Sequence, residues 1–365
     1  MKVERKGKMK TSILYGPRDV KVEDKPIPKL TLSDVLVKVK VCGVCGSDVA
    51  NYRRGSADGT PPPVAIGHEF VGEIVELGDQ VSQKRPELKL GDRIVVEPYQ
   101  PCGTCWSCMN AMPNLCARPR GIGGTDDGGG FSEYCRVNSR FVHRLSDNVS
   151  YEEGAFVEPL ACALYGLRKM RIAPGDFCVV IGPGPIGLMM LQYIKASGAG
   201  KILLIGTRDY RIEVGQHLGA DYVMNTSDGS SKYYVKDPLL QIKQWNRGRG
   251  ADAVIIATGN ASANELGINL GGPRSRIVLF GGAGYGPEDA VKVKLWEGTL
   301  MDREIIFSWL GPYTFSAAIE AIRDGLVKVK PLITHIYPLD KIIAAIETAE
   351  SRSGNAIKVL VKPES

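Results

Sequence analysis

Cys102, Cys105, Cys108 and Cys116 fall within fifteen residues, and no other feature of this chain restricts its folding as tightly. Thiols separated by two, two and seven residues can wrap one tetrahedral ion, and Zn²⁺ accepts four thiolates without redox chemistry. Four protein ligands leave no position open for a substrate. The site is therefore expected to be structural, pinning a loop (101–117) that has little apolar content of its own. Short adjacent loops would strain disulfides, and nothing in the sequence marks export.

The chain has 365 residues with 44% hydrophobic content, enough for a large core and about two domains. A formal charge of +6 arises from 46 basic and 40 acidic residues spread along the chain. The densest basic run, Met1 to Lys10, reads as a solvated extension and not as a nucleic-acid patch. No apolar h-region follows it, and no run approaches the roughly 18 apolar residues of a membrane span. Nine cysteines in such a chain point to a reducing, cytoplasmic setting.

From Thr11 to about Ser150 short strands alternate with turns. Val35 to Cys42 has the period of two of a half-buried strand, and Gly72–Gly78 and Gly91–Val96 resemble further strands. This predicts a compact, barrel-like β domain. Near Pro174 the pattern changes: Phe177–Gly182 is an apolar strand, Ile186–Ala196 has helical spacing, and Lys201–Gly206 is a strand again. Strands continue at Ala253–Thr258 and Arg276–Gly281. Helices at Phe315–Asp324 and Leu339–Ser351 and a last strand at Ala356–Val361 follow. Alternating strand and helix predict a doubly wound parallel sheet, so the fold class is α/β.

Gly182-Pro-Gly184-Pro185-Ile186-Gly187 follows one of these strands and opens a helix. The first glycine permits the tight turn, the second lets backbone approach a pyrophosphate, and the third lets helix and strand pack closely. The helix N-terminus then offers free N–H groups to phosphate. At the end of the next strand NAD enzymes carry an acid for the ribose 2′-hydroxyl. Here the sequence reads Gly206-Thr207-Arg208, with Arg211 nearby. No carboxylate repels a 2′-phosphate, Thr207 can donate to it and Arg208 can pair with it. NADP(H) is expected, with NAD(H) the weaker alternative. Gly206→Asp with Arg208→Ala is expected to reverse the order.

Cys45, His68, Glu69 and Glu158 supply a thiolate, an imidazole and carboxylates, the ligand types of an open zinc site. With only four histidines in the chain, His68 next to an acid carries weight. A redox pair of Cys42 and Cys45 would need a thioredoxin-like βαβ context, which is absent.

Several segments together resemble the zinc-dependent medium-chain alcohol dehydrogenase superfamily, from about Met9 to Pro363. They are Cys45-Gly-Ser47-Asp, Gly67-His68-Glu69-Phe-Val-Gly-Glu, Gly91-Asp-Arg, the cysteine lobe, Gly129-Gly-Phe-Ser-Glu-Tyr134, Glu158-Pro and the fingerprint. Glu158-Pro-Leu and the ending Lys330-Pro-Leu-Ile-Thr-His look like the polyol, threonine and sugar dehydrogenase branch. The resemblance implies a GroES-like catalytic domain (1–165, with residues 305–365 returning to it), a Rossmann domain (166–304) and an active site in the cleft. It implies catalytic zinc on Cys45 and His68, completed by Glu69 or Glu158, beside a second, structural zinc. Thr258 and Gly259 are expected to line the cofactor, and a dimer or tetramer is expected.

Ser47 is the expected first proton acceptor, and Tyr52 and Arg120 are weaker candidates for substrate contacts. Ala50 stands where many relatives carry a histidine that relays the proton. Leu310-Gly311 stands where sorbitol dehydrogenases carry an Arg-Tyr pair. The expected substrate is a secondary alcohol or ketone of a polyol, sugar or related compound. Threonine 3-dehydrogenase-like and glucose dehydrogenase-like activities are the alternatives. A zinc-ribbon nucleic-acid binder would leave the fingerprint and Gly67-His68-Glu69 unexplained. A non-catalytic NADP-binding protein is expected to have lost metal ligands that are present here.

Overall fold

The computed structural model describes residues 7–55, 61–123, 127–281 and 290–364. They form two compact units: one spans Met1–Pro159, Phe315–Arg323 and Val329–Ser365, the other Leu160–Thr314 and Asp324–Lys328. The division falls within the helix Val157–Met170, earlier than residue 165, and the chain returns at Phe315. Of the basic run Met1–Lys10, residues 1–6 lie outside the described ones. Lys8 already opens a strand, Lys8–Gly16, so the extension is shorter than its charge suggested.

The first unit is a β structure organised on the strand Asp34–Gly43. That strand pairs antiparallel with Glu69–Leu77, Tyr134–Asn138 and Lys358–Lys362. Val35, Val37 and Val39 lie in one apolar core with Phe70, Phe131, Ile94 and Val361. Half-burial was expected; only Lys38 and Lys40 keep partial exposure, because the strand is central and not at an edge. The segment Lys358–Lys362 inserts between Asp34–Gly43 and Ile333–Pro338. The chain's end is thereby brought beside its first third.

The second unit carries a six-stranded, wholly parallel sheet. Numbered within the unit, its strands run 3-2-1-4-5-6 across the sheet: Tyr222–Asn225, Lys201–Gly206, Phe177–Ile181, Ala251–Ile256, Gly271–Leu279 and Glu304–Phe307. This order places the switch point beside Phe177–Ile181, where dinucleotides bind in such sheets. All five residues of Phe177–Ile181 are buried, as a strand covered on both faces requires.

Candidate metal and cofactor sites

Asp34–Gly43 leads through Val44 and Cys45 into the helix Gly46–Arg54. Asp48 in its first turn accepts the Cys45 backbone N–H at 2.9 Å, fixing the cysteine at the helix start. The sheet register sets Gly43 opposite Glu69, and His68 precedes Glu69. Gly67 adopts φ +93°, and a Cβ there would stand 2.6 Å from the Phe131 nitrogen, so only glycine serves this turn. One donor atom each of Cys45, His68 and Glu69 then lies within 4.8 Å of the others. A thiolate, an imidazole and a carboxylate at this separation fit zinc with a position left open.

Two buried charges shape this site, and neither was singled out from the sequence. The Asp48 carboxylate, 2% exposed, stands 3.6 Å from His68 Nδ1. Burial alone would lower the His68 pKa, but Asp48 and then Cys45 hold it well above the usual imidazole range. The field that favours imidazolium also favours a bound cation, and a carboxylate on a ligand imidazole fixes its ring. Lys358 Nζ is ion-paired to Glu69 and donates to the Val44 carbonyl at 3.0 Å. Both side chains of the pair are 3% exposed. A carboxylate has lone pairs for both a lysine and a metal. A Cβ on Gly43 would collide with both partners of this pair. The available signal was a lone lysine inside the apolar strand Ala356-Ile-Lys-Val-Leu-Val.

The other expected residues divide. Glu158 is buried in the first turn of Val157–Met170, but its carboxylate lies outside the three-donor group. Ser47 is half-buried two residues from Cys45. Tyr52 is 3% exposed; its hydroxyl donates to Glu347 at 3.1 Å and Arg18 covers its ring, so packing against Ile342–Ser351 occupies it. Arg120 is ion-paired to Asp127, which Arg136 also engages, so its guanidinium is already taken.

All four sulfurs of the cysteine lobe lie within 4.8 Å of one another. Cys105 Sγ stands 3.5 Å from Cys108 Sγ and 3.8 Å from Cys116 Sγ. Zn–S bonds of about 2.3 Å at tetrahedral angles give S···S distances of about 3.8 Å. These separations are far beyond a disulfide bond of about 2.05 Å. Backbone N–H groups of Cys102 and Arg118 point at Cys116 Sγ from 3.3 and 3.4 Å. The Thr104 N–H, then its hydroxyl, draw the Cys102 pKa down to about 5, while burial pushes Cys108 up to about 12. Four sulfurs gathered at these separations fit a single tetrahedral cation.

In the second unit, Gly182 adopts φ +99°, and a Cβ on Gly187 would collide with the Gly182 carbonyl. The first and third glycines of the fingerprint are therefore required by geometry. Pro185 opens the helix Pro185–Ala196 behind Gly184. Thr258 packs against the loop, its Cβ 3.2 Å from where a Gly182 Cβ would be. Gly259 follows it directly. Arg208 occupies the N-cap of Asp209–His217, and Arg211 Nη1 lies 3.9 Å from the position of a Gly184 Cβ. The reversal expected of Gly206→Asp with Arg208→Ala does not fit this geometry. A Cβ on Gly206 would be 2.6 Å from Pro183 Cγ and 3.0 Å from Ile212 Cγ1.

Known proteins agree with this architecture. The alcohol dehydrogenase GroES-like domain matches residues 32–147, and the zinc-binding dehydrogenase domain matches residues 185–324. Sorbitol dehydrogenase of Bombyx mori is 32% identical over 96% of this chain and 97% of its own length. D-arabitol-phosphate dehydrogenase of Enterococcus avium is 32% identical over 93% and 92% respectively. A Sinorhizobium meliloti 1021 protein solved bound to NADP superposes with a TM-score of 0.87 at 28% identity. The match covers 98% of this chain and all of that one. Among the described residues no helix is long and apolar enough to cross a membrane.

Proposed function

The chain belongs to the zinc-dependent medium-chain alcohol dehydrogenase superfamily, in its polyol branch, and from that premise we propose a zinc-dependent, NADP-preferring oxidation of a polyol or sugar secondary alcohol. The observation that carries this is the Cys45, His68 and Glu69 donor set, with an open position, in a chain that also holds a complete dinucleotide loop. A zinc held by these residues would supply a Lewis acid for an alcohol oxygen, lowering its pKa toward neutrality, and NADP⁺ on the dinucleotide loop would supply a hydride acceptor.

Cys45, His68 and Glu69 hold that zinc, Asp48 orients His68, and Lys358 holds Glu69. Glu158, buried but outside the donor group, acts through water. The loop Gly182–Gly187 receives the pyrophosphate, and Thr207, Arg208 and Arg211 receive the 2′-phosphate. Sorbitol itself is disfavoured. A Cβ on Gly311 would be 2.5 Å from the Ala161 carbonyl carbon, so a tyrosine has no room there. Leu295, Trp296 and Leu300 of the helix Leu295–Leu300 and Phe307 of the edge strand Glu304–Phe307, all at least 65% exposed, support self-association into a homo-oligomer. Nine free cysteines support a reducing, cytoplasmic setting.

NADP⁺ should exceed NAD⁺ by at least about tenfold in kcat/KM, since a charge-assisted phosphate–guanidinium contact contributes roughly 1.4 kcal/mol or more. A reduction screen across polyols, aldoses and threonine with both cofactors measures it. Equal turnover of NAD⁺ makes Arg208 a mere turn residue.

The cysteine lobe supports a second, structural zinc. Chelation should abolish activity before it unfolds the protein. Cys105→Ser should lose one zinc per chain and melt at lower temperature, because structural zinc contributes directly to folding energy. Elemental analysis finding one zinc or fewer in fully active protein removes the two-site reading.

A further inference from the structure

The contact between Pro183 and Gly206 joins two segments that a Rossmann fold normally uses separately. Pro183 lies in the phosphate loop; Gly206 ends the neighbouring strand Lys201–Gly206, where the ribose is read. Gly206 is buried, and its backbone carbonyl accepts from the Thr226 N–H at 3.2 Å. A Cβ built there would stand 2.6 Å from Pro183 Cγ, 2.9 Å from Pro183 Cδ and 3.0 Å from Ile212 Cγ1. Neither neighbour can give way cheaply. Pro183 is a closed ring with φ fixed by its own chemistry, and Ile212 is fully buried in the helix Asp209–His217.

We infer that Pro183 is a specificity-determining residue for the cofactor, its ring filling the space that an acidic reader at position 206 would need. The inference rests on the NADP reading above and deepens it. Loss of the acid at 206 alone would be reversible by one substitution. With Pro183 in place, the side chain that accepts a ribose 2′-hydroxyl has nowhere to stand. The 2′ position is left to Thr207, Arg208 and Arg211, which suit a phosphate. Changing the preference therefore requires the loop and the strand end to change together.

The test uses the whole protein, its melting temperature without cofactor, and its affinities for 2′,5′-ADP and 5′-ADP. Gly206→Ala, which adds only the Cβ, should lower the melting temperature by several degrees, and most of that loss should vanish in a Pro183→Ala background. Gly206→Asp alone should weaken both nucleotides at least tenfold. Gly206→Asp with Pro183→Ala should bind 5′-ADP at least tenfold more tightly than Gly206→Asp alone. Should Gly206→Asp by itself keep the wild-type melting temperature and gain 5′-ADP affinity, the inference is overturned. The same holds if the Gly206→Ala loss is unchanged by removing Pro183. Wild-type protein that binds the two nucleotides equally would instead bring down the NADP reading and this inference with it. The melting data separate that case, because the packing coupling persists without any preference.

Discussion

Replacing Lys358 with methionine should destabilise the protein by about 3–5 kcal/mol, the usual cost of stranding one partner of a buried ion pair. Lys358 and Glu69 are both almost wholly buried and ion-paired. Burial alone would pull the Lys358 pKa down, yet Glu69, then Cys45 and Asp48, hold it above the ordinary amine value. The lysine is therefore charged, and its removal leaves the Glu69 carboxylate without compensation. A melting loss of order 5 °C or more follows for a chain of this size. The loss should be larger after chelation, because zinc beside Glu69 supplies part of the missing positive charge. Glu69→Gln in the Lys358→Met background should recover much of the loss, since a neutral amide is cheaper to bury than a carboxylate. If chelated Lys358→Met protein melts within a degree of wild type, the pair carries no such role.

That pair also marks where sequence reasoning stops. The cysteine lobe and the fingerprint are legible because their chemistry is local: ligand spacing, turn glycines and the strand before a helix all sit within a few neighbouring residues. Lys358 meets Glu69 across 289 positions, and only the pairing of Lys358–Lys362 with Asp34–Gly43 brings them together. The same limit explains Pro183 and Gly206, each visible in its motif, whose contact arises from the parallel pairing of Phe177–Ile181 with Lys201–Gly206. Between Glu69 and Glu158 the sequence offered two equivalent carboxylates. The register of Gly43 with Glu69 puts only the former among the donors. The helix Gly46–Arg54 was missed because it is short and polar, and its start is fixed by Asp48 on the Cys45 N–H instead of by an apolar stripe.

Ser47→Ala should lower kcat by about a hundredfold with zinc retained, the usual size of an acid–base contribution. The reasoning proceeds by what the neighbours already do. Asp48 Oδ2 accepts the Cys45 N–H and Oδ1 faces His68, so its carboxylate is committed to holding ligands. Ala50 carries no proton. The Tyr52 hydroxyl is bound to Glu347. Glu158 lies outside the donor group. Ser47, half-buried at the second position of Gly46–Arg54, is the hydroxyl left in sequence reach of the open metal position. A hydroxyl can take the departing alcohol proton while handing its own to water, so no net charge builds up on it. Its loss removes a step made in the transition state, and kcat and kcat/KM should fall together while KM changes little. The deficit should shrink as pH rises, because hydroxide in solvent can then take the proton directly. A Ser47→Ala enzyme with full zinc and kcat within twofold of wild type would exclude Ser47 from the relay, and Glu158→Gln would then become the variant to measure.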